Sequence, residues 1–127
     1  MSDSPPTLDD LQGEWKIVSF GQNGGKAPFF IPWLVKFRMK IKGERFAKYA
    51  GDRVVGKGKL RVKPQTEFSV MDEKMIGGDE DGEVHRGIIR WVGKKIEHLQ
   101  GKIGDERPKQ FPYTKQSMFG YALMKRV

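Results

Sequence analysis

The sequence predicts an all-β fold, an eight-stranded up-and-down antiparallel barrel with one short helical turn at its N-terminus. Three observations predict it. Apolar residues recur with period 2 in segment after segment, the spacing of a half-buried strand. Turn residues separate those segments at short intervals. The 16 glycines and 7 prolines among 127 residues are too many breakers for a protein of long helices. Closing such a sheet into a barrel also removes the open edges it would otherwise have to protect.

The elements follow in order. Thr7-Leu8-Asp9-Asp10 reads as a capping box, with Thr7 as N-cap and Asp10 three residues on. Leu8 and Leu11 share one face of that turn, and Gly13 ends it in a left-handed conformation. Trp15, Ile17 and Ser19 then alternate with Lys16, Val18 and Phe20. Phe37, Met39 and Ile41 alternate with Arg38, Lys40 and Lys42, and a turn at 43–44 leads into a strand over 45–50. Residues 54–62 and 66–71 give two more strands, followed by an acidic loop over 72–83. Residues 84–92 and 95–100 form a hairpin across Gly93-Lys94, in a register that pairs Arg90 with Glu97, Trp91 with Ile96 and Ile89 with His98. A Gly/Pro/Lys loop over 101–116 precedes the last strand, 118–125.

Length fits a single domain, 1–127, with residues 1–6 a loose tail. The absence of cysteine excludes disulfides, thiolate metal sites and thiol nucleophiles. Met1-Ser2-Asp3-Ser4-Pro5-Pro6 has neither the basic nor the apolar region of a signal peptide. No apolar run approaches the roughly 20 residues of a spanning helix. A cytoplasmic location is expected of the sequence as it stands. The net charge of +8 is unevenly spread. Residues 36–63 hold eleven Lys and Arg against two Asp and Glu, whereas residues 64–83 hold one Lys against seven acids.

Several short motifs carry a family resemblance. The opening Leu11-Gln12-Gly13-Glu14-Trp15 resembles the Gly-x-Trp start of lipocalin-like (calycin) barrels. Gly25-Lys26-Ala27-Pro28, Gly43-Glu44-Arg45-Phe46, Gly56 to Leu60, Gly87-Ile88-Ile89, Glu106-Arg107-Pro108 with Phe111, and Lys125-Arg126 follow in order. Together they resemble a small lipocalin-like domain abundant in planctomycete bacteria, a family of uncharacterised function, over about residues 8–126. The resemblance implies the fold and carries no activity with it. It further implies that Trp15 packs inside one closed barrel end beneath Arg126 or Lys125, with Leu8 and Leu11 as a plug. The chain departs from the family pattern in its apolar 29–34 segment and in its basic charge.

Chemistry-bearing groups are sparse. His85 and His98 are the only imidazoles, and the hairpin register sets them about 13 Å apart at ~3.3 Å per residue, too far to share a metal. The acidic loop fails the EF-hand pattern, since Gly82 at position 6 puts Gly77 and Ile88 where carboxylates are needed. No nucleophile elbow, P-loop or dinucleotide fingerprint occurs, so the expectation is a non-enzymatic domain with no cofactor and no metal. If Ile89, Trp91 and Ile96 face inward, so do His98 and Gln100, a polar pair able to orient a small ligand among apolar walls.

The leading expectation is therefore a carrier of a small apolar or amphipathic molecule. Phe29, Phe30 and Trp33, with Ile31 and Leu34, would act as a lid, while Met39, Trp91, His98 and Gln100 line the barrel. Two alternatives stand beside it. Arg38, Lys40, Lys42, Lys57, Lys59 and Arg61, with Arg45 or Lys48 nearby, would form an outer cationic lattice for nucleic acid or an anionic membrane surface. The apolar 29–34 segment would instead dock a second copy of the chain as a homodimer.

Overall fold

Wherever period-2 alternation runs through the described sequence, a strand forms. The computed structural model describes residues 4–22, 25–26, 37–101, 106–109, 111 and 120–127. A 3-10 turn, Asp9–Leu11, precedes β1 (Gly13–Gln22), β2 (Gly25–Lys26), β3 (Phe37–Lys42), β4 (Arg45–Ala50) and β5 (Arg53–Pro64). Then come β6 (Ser69–Met75), β7 (Val84–Val92), β8 (Lys95–Gln100) and β9 (Gly120–Arg126). β1 and β3 to β9 pair antiparallel in that order, and β9 returns to β1, so eight strands close the barrel. β2 is a two-residue addition against the end of β1, with Gly21 opposite Lys26.

The expected hairpin register holds residue by residue: Arg90 faces Glu97, Trp91 faces Ile96 and Ile89 faces His98. The strand expected over 66–71 instead runs Ser69–Met75. Its alternation continues through Asp72-Glu73-Lys74 with Met71, Glu73 and Met75 buried. Part of the supposed acidic loop is thus strand, and one of its carboxylates lies inside the barrel.

One end of the barrel is filled. Trp15 and Leu11 are fully buried there in a cluster with Ile41, Phe46, Met71, Ile89 and Ile96, against which Leu8 packs. The Trp15 indole N–H donates to the Leu11 carbonyl at 2.8 Å, so burying it leaves no donor orphaned. The Arg126 guanidinium lies 4.3 Å from the Trp15 ring centre. It donates to the carbonyls of Gln12 and Asp10, each at 2.6 Å. Gly13 makes room for it, because a Cβ there would stand 3.2 Å from Arg126 Nη1, and its φ of +111° suits glycine. The capping box forms as read: Asp10 N–H donates to Thr7 Oγ1 at 3.2 Å and Thr7 N–H to Asp10 Oδ2 at 2.9 Å.

The tail reading needs correction at Pro6. That residue is buried, and the Ser69 hydroxyl donates to its carbonyl, so the chain is seated on the barrel before the 3-10 turn begins.

A second apolar cluster sits on the outside. Ile88, Leu99 and Tyr121 alternate with inward residues, yet all three are buried, with Phe68, Phe111 and Leu123 packed on them. The segment carrying Arg107, Pro108 and Phe111 covers them. Arg107 grips Asp72 with both terminal guanidinium nitrogens, and its Nη1 also donates to the Gly87 carbonyl at 3.1 Å. Arg90 stacks 4.3 Å from the Phe111 ring centre. The Glu-Arg-Pro motif and the phenylalanine after it thus have a structural task, fastening a strap to the wall.

Candidate functional site

Alternation along three strands directs four polar side chains into one lumen. On β4, Phe46 points inward, so Lys48, two residues on, does too, opposite Met39 of β3. On β6, Glu73 follows Met71 inward. On β8, His98 and Gln100 follow Ile96. These four line a cavity of about 190 Å³ with apolar walls from Ile17, Phe37, Met39, Ala122 and Met124. Phe37 and Gly120, the first residues of β3 and β9, also line it, which puts the cavity at the end opposite the Trp15 plug.

Glu73 is the centre of this group. It has no solvent exposure. Its Oε1 accepts from Lys48 Nζ at 2.7 Å and from Gln100 Nε2 at 3.0 Å. Burial alone would raise the pKa of its carboxyl. The charges of Lys48 and His98 and the hydrogen bonds from Lys48 and Gln100 outweigh that effect and hold it at about 2. For His98 burial wins: despite the attraction of Glu73, desolvation brings the imidazole down to about 4, aided by repulsion from Lys48 and His85. At neutral pH the lumen therefore holds the Glu73–Lys48 ion pair and a neutral imidazole, while Arg38, which also borders the cavity, is paired with Glu14 at 2.8 Å.

Two buried side-chain atoms among the described residues find no hydrogen-bond partner, Glu73 Oε2 and His98 Nε2. Buried polar groups are paired in the large majority of cases, so two orphans in one lumen mark it out. The His98 ring fits because Gly87 has no side chain. A Cβ at Gly87 would stand 2.9 Å from His98 Nε2 and 2.8 Å from the Leu99 carbonyl oxygen.

Of the residues expected to contact a ligand, Met39, His98 and Gln100 come together at the cavity. Trp91 does not: it packs against the core cluster, and the described cavity wall does not include it. Phe29, Phe30 and Trp33, with Ile31 and Leu34, lie outside the described residues, and so does the dimer reading built on that segment. Lys48 and Glu73 were missed as site residues. Both are signalled by alternation, Lys48 from Phe46 and Glu73 from Met71 and Met75.

The cationic residues do face outward. Arg38, Lys40, Lys42, Lys57, Lys59 and Arg61 are all exposed. Glu14 neutralises part of the set, 2.8 Å from Arg38 and 3.5 Å from Lys40. Lys48 leaves the expected outer lattice, whereas Lys74 joins it: Lys42 faces Arg45, Arg45 faces Lys59, and Lys59 faces Lys74 across four neighbouring strands.

A larger groove of about 640 Å³ lies outside, between Gln65, Phe68 and the Arg107-Pro108 strap, but neither of the buried orphan atoms lies in it. Among the described residues there is no group of three or more His, Cys, Asp or Glu able to hold a metal. None of their helices is long and apolar enough to cross a membrane. The chain matches no protein-family model, no curated protein and no solved structure.

Proposed function

We propose that the protein is a non-enzymatic, lipocalin-like carrier that binds one small amphipathic molecule in its barrel. The observation that carries this reading is the lumen: a cavity of about 190 Å³ with apolar walls and buried polar atoms left without partners. A cavity near 150 Å³ accepts benzene, so this one suits a single ring with a small head group. Lys48, Glu73, His98 and Gln100 would orient the head, and Met39 and Met124 would adapt to the body. The test is to fill the space. Ala122→Leu should abolish the thermal stabilisation that ring-sized compounds give the wild type, while the variant still unfolds cooperatively. Undiminished stabilisation in the variant would place binding elsewhere.

A second reading has its own observation. Four exposed cations, Lys42, Arg45, Lys59 and Lys74, stand side by side across neighbouring strands. Like charges directly opposite one another destabilise a sheet, and a polyanion would offset that cost. This reading expects binding to single-stranded nucleic acid that weakens steeply with salt and disappears in Lys59→Glu/Lys74→Glu. Salt-insensitive binding, or none, would dismiss it.

A further inference from the structure

From the unequal satisfaction of the two Glu73 oxygens, we infer that the lumen's ligand is a neutral hydrogen-bond donor on a ring-sized apolar body, such as a phenol, a small alcohol or a primary amide. This rests on the reading of the lumen as a binding site and names what it selects.

The argument starts with charge. The lumen places the Lys48 ammonium against the Glu73 carboxylate at 2.7 Å, and the two cancel; Arg38, at the cavity border, is cancelled in turn by Glu14 at 2.8 Å. A charged ligand would leave a net charge in a space where Glu73 has no exposure at all, a far larger cost than burying a neutral hydroxyl or amide. The ligand is therefore neutral.

Direction follows from the oxygens. Oε1 already accepts from both Lys48 and Gln100, while Oε2 accepts from no described residue. An ionised carboxylate only accepts, so the missing partner is a donor. Two of the described hydroxyls are engaged elsewhere: Tyr121 donates to Glu97 Oε2 at 2.8 Å, and Ser69 to the Pro6 carbonyl. A ketone or ether, which can only accept, would leave Oε2 as it is. A hydrogen bond to a charged acceptor is also among the stronger ones, so the gain from a matching head group is substantial.

Size and wall chemistry complete the description. About 190 Å³ holds a six-membered ring and one or two further heavy atoms, by comparison with the ~150 Å³ that takes benzene. Ile17, Phe37, Met39, Ala122 and Met124 surround that body with apolar surface.

The experiment is calorimetric titration of the full chain at pH 7.5 with phenol, anisole, toluene, benzylammonium and benzoate. Phenol should bind at least tenfold more tightly than anisole or toluene, and both ions should bind more weakly than phenol. In Glu73→Gln the preference for phenol over toluene should shrink to about threefold or less. Should that variant fail to bind toluene, the wild-type ranking alone decides. If toluene or anisole equals phenol in the wild type, the lumen remains a binding site but the donor inference falls. Tighter binding of either ion overturns the neutral class. If none of the five binds, the lumen reading itself is overturned, and this inference with it.

Discussion

Lys48 and Glu73 contribute unequally to their pair. Glu73 is wholly buried, whereas the Lys48 side chain keeps 29% of its exposure. Removing the lysine strands a buried anion, so Lys48→Met should destabilise the protein toward the lower end of the ~3–5 kcal/mol typical of breaking a buried pair. Lys48→Met combined with Glu73→Met should recover most of that loss. Urea denaturation of the three variants checks both expectations. Acid acts on the same cluster in two windows. An unfolded histidine takes up its proton near 6.5, and folded His98 only near 4, so the unfolded chain binds more protons in between. Stability therefore falls as pH drops through that window. Folded Glu73 keeps its charge to about 2, whereas an unfolded glutamate protonates near 4.5. Its contribution is complete above 4.5 and is lost toward 2. The urea midpoint should decline from pH 6.5 downward, and His98→Gln should remove the upper part of that decline. Gly87→Ala tests the seat of the imidazole: its Cβ would meet backbone at 2.8 Å, and overpacking of this kind costs about 1–3 kcal/mol.

At the scale of elements, the barrel has a fixed end and a strapped wall. The 3-10 turn, Trp15 and Arg126 form one packed unit, and Arg107 with Phe111 forms another on the outer face of β6 to β9. They should respond separately. Arg107→Ala should raise amide exchange along β6 and β7 with little change around Trp15, and hydrogen-exchange mass spectrometry reads the difference. Uniform loss of protection across the barrel would contradict it. These elements also show what was legible. The β7–β8 register was readable from alternation and turn residues, because local pattern dictates it, whereas the stack on Trp15 was implied only by the family resemblance, which left Arg126 and Lys125 both open. The end of the sixth strand was not. Asp72-Glu73 beside Gly77-Gly78 reads as a polar loop, and only pairing with β5 and β7 draws it into the sheet. The site suffered the same way. His98 and Gln100 came from one hairpin, while Lys48 and Glu73 reach the lumen from two other strands and meet only when the barrel closes. The strap was unreadable for a related reason, since Ile88, Leu99 and Tyr121 face outward and are buried only by a distant segment.

For the molecule as a whole, the +8 charge resolves into an outer surface and an inner pair. The described cations of 38–63 are mostly outside, with Lys48 the exception that enters the lumen. The central claim is that this lumen admits a small molecule. The most direct measurement follows the methionine methyl resonances of the 13C-labelled protein during a titration with phenol. Met39 and Met124 line the cavity, whereas Met71 and Met75 belong to the core cluster but not to the cavity wall. Saturable shifts at Met39 and Met124, with much smaller ones at Met71 and Met75, are the predicted result. Shifts spread evenly over all four, or persisting unchanged in Ala122→Leu, would contradict it.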